Sequence, residues 1–148
     1  MSAAGKGGLP CPFCAIANGT APARIVWRGT AALALIPDAP AVAGHTLVVP
    51  VAHVQDIWDV DQRTGRELAD ATLTVADGVR RACGTDALNV IQSNGAAAGQ
   101  SVFHLHIHVV PRTDGDRMPR LWPPDAPWTP DQLDTSADLL RAVLARNP

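Results

Sequence analysis

The amino-acid sequence predicts an α+β fold with a mainly antiparallel sheet. Two observations support this class: short apolar runs bounded by turn residues dominate the middle of the chain, and helical segments with apolar residues spaced three and four apart are interspersed with them. The chain has 148 residues, of which 47% are hydrophobic, so it can form the core of one ordinary domain. We therefore expect a single α+β domain rather than a bundle or a parallel α/β fold.

Five strands are predicted, and turn residues separate them. The first two form a hairpin around Arg28-Gly29-Thr30, and the third is bounded by Gly44 and Pro50. The last two are joined by residues 94–99, a loop with two glycines. The predicted strands are 24–27, 31–36, 45–49, 87–92 and 101–110.

Two helices are predicted. The longer covers residues 61–83 and ends at Gly84, because its apolar residues fall on one helical face and glycine is a common helix stop. The second begins with Thr129 as its N-cap and Pro130 in its first turn. We expect Cys83 to be a small buried hydrophobe. The two apolar faces are Leu68, Ala71, Val75, Val79 and Ala82, and then Leu133, Leu140, Val143 and Leu144.

The two ends of the chain are expected to be peripheral to the single domain, residues 1–148. Residues 1–10 form an N-terminal arm, and residues 113–148 form a C-terminal extension with a proline-rich tract before the last helix. A formal net charge of -2 and a pI near 6.2 argue against nucleic acid or a membrane as a partner. Three cysteines and the lack of a long apolar run predict a cytoplasmic protein.

Three of the five histidines, His104, His106 and His108, alternate with apolar residues in the last predicted strand. Alternation places their side chains on one face and the apolar ones on the other. They could be structural histidines bonded to backbone carbonyls. They could also bind a metal, but the Cα atoms of the outer two would lie about 13 Å apart. One ion with bonds near 2 Å would be strained by all three, although neighbouring pairs could chelate it.

A third interpretation is chemistry on a phosphate. A neutral imidazole can attack phosphorus at physiological pH, because the ordinary pKa of histidine is near 6.5. The preceding loop favours this interpretation: Gly99 lets the backbone approach a phosphate, and Gln100 and Ser101 offer hydrogen-bond donors.

The stretch from Gly99 to Arg112, GQSVFHLHIHVVPR, resembles the signature of the histidine triad (HIT) superfamily. The segment from Gly44 to Pro50 resembles that family's upstream strand, and the resemblance covers roughly residues 11–112. It implies an α+β fold with a five-stranded sheet, which pairs in a homodimer to give ten strands. It also implies nucleotidyl transfer through a covalent nucleotidyl-histidine.

The resemblance also implies a role for individual residues. His106 would be the nucleophile on the α-phosphate of purine nucleotide adducts, either phosphoramidates or dinucleoside polyphosphates. His108 would hydrogen-bond the transferred phosphate, and His45 would support it from behind. Gln100 and Ser101 would bind phosphate oxygens or assist the leaving group. Water would then hydrolyse the covalent intermediate.

Cys11 and Cys14 have the spacing of a zinc knuckle. Alone, the pair could equally be redox-active or accidental. The bacterial branch of the family implies that these two cysteines, His53 and His104 together hold a structural zinc. Such an ion would tie the N-terminal arm and the His53 loop to the catalytic strand.

Two positions depart from the family pattern. Pro37 stands where the family has an Asp or Asn that binds the ribose, and we expect Asp38 to substitute or the ribose to be held less tightly. Ser93 stands where the family has an Asn or Gln that contacts substrate, and Asn94 is the candidate substitute. These departures leave open a nucleotide-binding module with little turnover. A hydrolase with a catalytic rather than a structural zinc is a further alternative.

Overall fold

Five short strands form one antiparallel sheet in the computed structural model, which describes residues 10–146. The strands are ordered β1-β2-β3-β5-β4, and every neighbouring pair is antiparallel. A bulge between Ile25 and Trp27 interrupts the first pair. The elements are α1 (Pro12–Ala17), β1 (Arg24–Arg28), β2 (Ala32–Ile36), β3 (Thr46–Pro50), α2 (Gln62–Cys83), β4 (Leu88–Gln92), β5 (Ile107–Pro111) and α3 (Pro130–Leu144). The α+β class and the five-stranded antiparallel sheet are thus confirmed.

The sheet buries side chains on both faces. On one face, alternate strand residues such as Ala34, Val48 and Val109 pack with the buried side of α2. On the other face, Leu33 and Leu47 pack with Phe13 of α1. The two clusters follow from the period-two alternation along β2 and β3. The rings of His104 and His106 also lie on this second face, against Phe13.

Helix α2 ends at the predicted residue and begins one residue later than predicted, because Asp61 is its N-cap. The Asp61 side chain accepts a hydrogen bond from the Thr64 N–H, and this caps the first turn. Gly84 adopts the left-handed conformation, with φ at 65°, and closes the last turn. Leu68 and Val75 are buried against the sheet, as the apolar spacing predicts.

The prediction of one long strand over residues 101–110 is wrong for its first part. The ladder begins only at Ile107, because the Leu105 backbone bonds to Val54, which belongs to no strand. The Leu105 N–H donates to the Val54 carbonyl at 2.6 Å, and the His104 ring bonds to the Pro50 carbonyl. The alternation nevertheless persists, since Leu105, Ile107 and Val109 all face the α2 side. The periodicity of apolar residues also fails to predict helix α1.

The expectation that Cys83 is buried is also wrong. Its side chain is exposed at the last residue of α2, where the helix leaves the sheet. An exposed thiol at a helix end takes no part in the core.

The residues from Pro119 onward form a compact unit of their own, separate from the unit that ends at Met118. Helix α3 in this unit has the predicted N-cap: the Thr129 hydroxyl accepts from the Gln132 N–H, and the Gln132 side chain accepts from the Thr129 N–H. The predicted apolar face is exposed rather than buried, with Leu133, Leu140, Val143 and Leu144 each more than half accessible. Among the described residues, no helix has both the length and the apolar character needed to span a bilayer. Residues 1–9 of the predicted N-terminal arm lie outside the described part.

Candidate catalytic and metal site

His108 anchors the candidate catalytic site to the sheet. It lies opposite Leu47 in the β3–β5 ladder, so its ring projects from the face that carries α1. The His106 ring lies beside it, with the ring centroids 5.0 Å apart. His45 immediately precedes β3 and approaches His108 from the other side, with their ring centroids 5.2 Å apart. The structure therefore brings the three predicted histidines together.

A single backbone contact determines which His106 nitrogen is nucleophilic. Its Nδ1 lies 2.8 Å from the carbonyl oxygen of His104. A carbonyl oxygen can only accept, so Nδ1 must carry the hydrogen. The lone pair is then on Nε2, which is the nitrogen available to attack an electrophile.

The other two histidines form a chain whose proton positions are also determined. The Ala41 N–H donates to His45 Nδ1 at 3.0 Å, which leaves the His45 hydrogen on Nε2. This Nε2 is 2.9 Å from His108 Nδ1, and it must donate there. His108 therefore carries its own hydrogen on Nε2. The result is a hydrogen-bond donor at His108 beside a lone pair at His106.

Burial keeps this pair neutral. Desolvation lowers the pKa of His45, and it lowers the pKa of His108 to about 4, with smaller contributions from His106 and His45. At neutral pH, His108 is thus an uncharged donor rather than an imidazolium. A neutral N–H can bind a phosphate oxygen without demanding a counter-charge from the protein.

Cys11, Cys14, His53 and His104 form a second cluster on the same face of the sheet as α1, and one ligand atom from each lies within 4.8 Å of all the others. The His104 Nδ1 is 3.3 Å from the Cys11 sulfur and 3.5 Å from the Cys14 sulfur. The His53 Nδ1 is 3.3 Å from the Cys14 sulfur. In a tetrahedral zinc site with ordinary bond lengths, sulfur and nitrogen ligands lie about 3.6 Å apart. The four side chains therefore fit zinc.

The His104 ring is oriented for this role by β3. Its Nε2 lies 2.9 Å from the Pro50 carbonyl and so donates to it, which leaves the Nδ1 lone pair directed at the two sulfurs. The side chain is fully buried, and this burial lowers its pKa to about 4. His104 is consequently a neutral candidate ligand, with a role distinct from those of His106 and His108.

The Cys14 thiol resists ionisation on its own. Burial raises its pKa to about 11, and the adjacent Cys11 raises it as well. A bound cation would supply the positive charge that two adjacent thiolates need.

The glycine loop before β5 is held by Gln100, which is buried. The Gln100 side-chain oxygen accepts from the Gly95 N–H at 2.7 Å, and its nitrogen donates to the carbonyls of Gln55 and Val102. The amide of this predicted phosphate ligand is thus engaged within the protein. Gly99 and Ser101 are exposed on the same loop, and Gly99 has φ at +91°, which favours glycine.

The two departures from the family pattern have different surroundings. The Asn94 side-chain oxygen accepts from the Ile57 N–H at 2.7 Å, and its amide pairs with that of Gln92. Ser93 is half-buried beside it. The Asp38 carboxylate instead forms an exposed ion pair with Arg24 at 3.1 Å. Within the described residues, no hydrogen bond or ion pair joins Asp38 to the three histidines.

Several groups that shape the site could not be found from residue type alone. The Ala41 N–H and the Pro50 carbonyl are backbone atoms, and any residue supplies them. The sequence does carry one signal for Phe13, which is its position between the two cysteines. Its ring packs edge-on to both His104 and His106, with centroid distances of 5.7 and 5.3 Å.

One family model and two solved structures of known proteins are similar to this chain. The HIT domain model matches residues 18–115. A HIT family protein from Bacillus subtilis has a crystal structure that superposes with a TM-score of 0.81 at 30% identity, covering 89% of this chain and 95% of that one. A Zn-bound histidine triad family protein from Mycobacterium smegmatis is 36% identical, with a TM-score of 0.70 and coverage of 92% and 94%.

One relative carries an enzyme name. Adenylylsulfatase HINT3 of Arabidopsis thaliana is 30% identical over 106 residues, which are 72% of this chain and 54% of that protein. The match therefore spans about half the length of the plant protein.

Proposed function

Because the chain belongs to the HIT domain family, we propose that it is a nucleotide hydrolase or nucleotidyl transferase. Its substrates would be purine nucleotide adducts attacked at the α-phosphate, either phosphoramidates or dinucleoside polyphosphates. One observation carries the proposal: the His106 Nε2 lone pair stands beside the Nε2–H of a neutral His108. A nucleophile and an uncharged donor at adjacent positions suit attack on an anionic phosphate.

In the first displacement, His106 Nε2 forms a bond to the α-phosphorus. The bond from phosphorus to the leaving group breaks, and the leaving group departs with the electron pair and takes a proton from solvent. The positive charge that develops on the His106 ring is stabilised by the Nδ1–H bond to the His104 carbonyl. His108 donates to a non-bridging oxygen, and His45 keeps His108 in the donating tautomer. Ser101, which is exposed on the loop, would assist the leaving group.

In the second displacement, water attacks the same phosphorus. The phosphorus to Nε2 bond breaks, its electron pair returns to His106, and the proton of the water passes to solvent. The nucleoside monophosphate leaves, and His106 regains its starting tautomer because the His104 carbonyl still holds Nδ1–H. An acceptor other than water would make the same step a transfer.

Zinc would have a structural role in this scheme. Cys11, Cys14, His53 and His104 would hold it, and it would supply the charge that neutralises the two thiolates. The Mycobacterium protein, which shares the fold, is Zn-bound, and this supports the assignment. The Gln100 side chain bonds to the Gly95 N–H and to the Gln55 carbonyl. We therefore propose that it holds the loop so that Gly99 and Ser101 contact the phosphate, and that it does not itself donate to the substrate.

We also propose a homodimer. β4 is an edge strand of the sheet, and its Val90 side chain is 53% exposed. An edge strand with an exposed apolar residue is a natural pairing surface for a second copy. Sedimentation velocity would show a monomer if this is wrong.

The test of the reaction replaces His106 with alanine. We expect turnover of adenosine phosphoramidates and diadenosine polyphosphates to fall at least about 1,000-fold, because the variant has no nucleophile. Intact mass spectrometry after an acid quench should detect a nucleotidyl adduct on the parent protein and none on His106→Ala. Unchanged turnover in the variant would refute the proposal.

A nucleotide-binding module with little turnover is the second candidate. The observation that favours it is the outward position of Asp38, whose carboxylate pairs with Arg24. Nucleotide binding by calorimetry, with neither adduct nor turnover on the parent protein, would favour the module over the enzyme.

A further inference from the structure

Within the described part of the protein, the His106 ring has one hydrogen bond, from Nδ1 to the His104 carbonyl. One such bond leaves the ring free to tilt about it. Two neighbouring rings limit that tilt. His108 lies on one side, with an interplanar angle of 65°, and Phe13 packs its edge against the ring with the same angle at 5.3 Å.

Phe13 also contacts the candidate metal site. Its ring meets the His104 ring edge-on at 5.7 Å, with an interplanar angle of 87°. The side chain is buried, and it belongs to the apolar cluster that includes Leu33 and Leu47. One aromatic ring therefore contacts a metal ligand and the nucleophile at once.

The segment that carries Phe13 is fastened by the metal ligands. Helix α1 has six residues, and a helix this short is unstable on its own. Cys11 is its N-cap, and the Cys11 sulfur accepts a hydrogen bond from the Cys14 N–H. The two cysteines stand on either side of Phe13, so filling the site with zinc would fix both ends of the turn that presents its ring.

We infer that Phe13 is a positioning residue through which the Cys2His2 site orients the His106 imidazole. The inference rests on the proposed function, since it needs His106 to be the nucleophile. It adds that zinc influences the reaction through packing, along a path from the thiolates to Phe13 to the reacting ring. A misaligned nucleophile can lose about 100-fold in rate with little change in substrate binding.

The experiment compares Phe13→Leu with Phe13→Tyr and the parent, all loaded with zinc. Leucine keeps an apolar side chain but removes the ring edge, whereas tyrosine keeps the ring. We expect kcat to fall about 10- to 100-fold in Phe13→Leu with KM within about threefold, and to stay within about threefold in Phe13→Tyr. Leu33→Val, a change in the same apolar cluster, controls for general loosening of the core.

A second readout does not depend on turnover. Long-range ¹H–¹⁵N spectra of the imidazoles should show one ordered His106 tautomer in the zinc-loaded parent. They should show a broadened or mixed signal in zinc-loaded Phe13→Leu and in the chelator-treated parent. Chelation of Phe13→Leu should then change the His106 signal less than chelation of the parent does, because only the link through His104 itself remains. Zinc content, measured by mass spectrometry, must match among the loaded proteins.

Three results would overturn the inference. They are a parental His106 spectrum in Phe13→Leu, a rise in KM with kcat unchanged, and an equal loss of kcat in Leu33→Val. Failure of the proposed function is distinguishable from all three, because His106→Ala would then be as active as the parent.

Discussion

His104 and His108 are four residues apart on one stretch of chain, and their environments give them opposite tasks. Both are buried, and burial lowers the pKa of each to about 4. His104 donates from Nε2 to the Pro50 carbonyl, so its lone pair is on Nδ1 and faces two sulfurs. His108 accepts at Nδ1 from His45, so its Nε2 carries a hydrogen. Histidine therefore offers a lone pair to a metal at position 104 and a hydrogen-bond donor at position 108.

The difference teaches that burial alone does not specify what a histidine does. Burial explains why both rings are neutral. The role depends on whether the first neighbour is an acceptor, as a carbonyl is, or a donor, as His45 Nε2–H is. We call these two groups the metal end (Cys11, Cys14, His53, His104) and the reaction end (His45, His106, His108). If the two ends are distinct, disturbing one should change the other only through the contacts that join them.

Loss of the metal end should have the largest effect. In Cys14→Ser, or after chelation, we expect the free energy of unfolding to fall by about 3 kcal/mol, which lowers the Tm by roughly 10 °C. We expect activity to be lost as well. The reason is that α1, the His53 loop and His104 lose their common anchor. Calorimetry and zinc analysis would measure both effects. Cys83→Ser is the matched control, because Cys83 is exposed at the end of α2.

A different response to chelation would change the interpretation of the metal end. If the chelated protein lost all activity but kept the Tm of the parent, a catalytic zinc would replace the structural one.

Loss of the hydrogen bond within the reaction end should rank second. In His45→Ala, His108 loses the donor at Nδ1 that keeps its hydrogen on Nε2, so we expect kcat to fall about 100-fold. Zinc content and Tm should change far less than in Cys14→Ser. His45→Gln retains an N–H that can reach His108, so part of the rate should return. Equal rates in the alanine and glutamine variants would show that the tautomer is not what matters.

The pH dependence of stability should show a moderate effect. In the unfolded chain, His108 takes up a proton near its ordinary pKa of about 6.5, whereas in the native protein its pKa is about 4. The unfolded state therefore binds more protons between these values, and stability should fall as the pH is lowered from about 6.5 to about 4. Urea unfolding of His108→Asn should show a shallower fall across this window than the parent. A steeper fall in the variant would contradict a neutral, buried His108.

The sequence predicts much of this comparison, but unevenly. Alternation and turn residues predict all five strands and α2, because these patterns report burial directly. The histidine signature and the cysteine spacing predict which side chains gather at each end. The strand break before Ile107 could not be predicted, since Leu105 bonds to the carbonyl of Val54, a residue about 50 positions away in the chain. Backbone partners are invisible in residue types.

The engagement of Gln100 and Asn94 has a similar explanation. Both residue types can bind a phosphate or a nucleoside, and both can also bind backbone groups. Only the fold decides, since it brings Gln55 and Ile57 within 2.8 and 2.7 Å of these amides. Cys83 shows the converse, because cysteine is usually buried and this one is exposed at the end of α2.

The smallest effect is expected from Asp38→Ala, which tests whether Asp38 belongs to the reaction end. Asp38 and Ala41 belong to the same loop before β3, and Ala41 supplies the N–H that fixes the His45 tautomer. The Arg24–Asp38 pair that fastens the loop is exposed, and exposed pairs add little to stability. We therefore expect kcat and KM to stay within about twofold for adenosine and 2′-deoxyadenosine phosphoramidates alike. A rise in KM confined to the ribose substrate would instead mean that Asp38 leaves Arg24 to bind the sugar, and the reaction end would then extend to the loop surface.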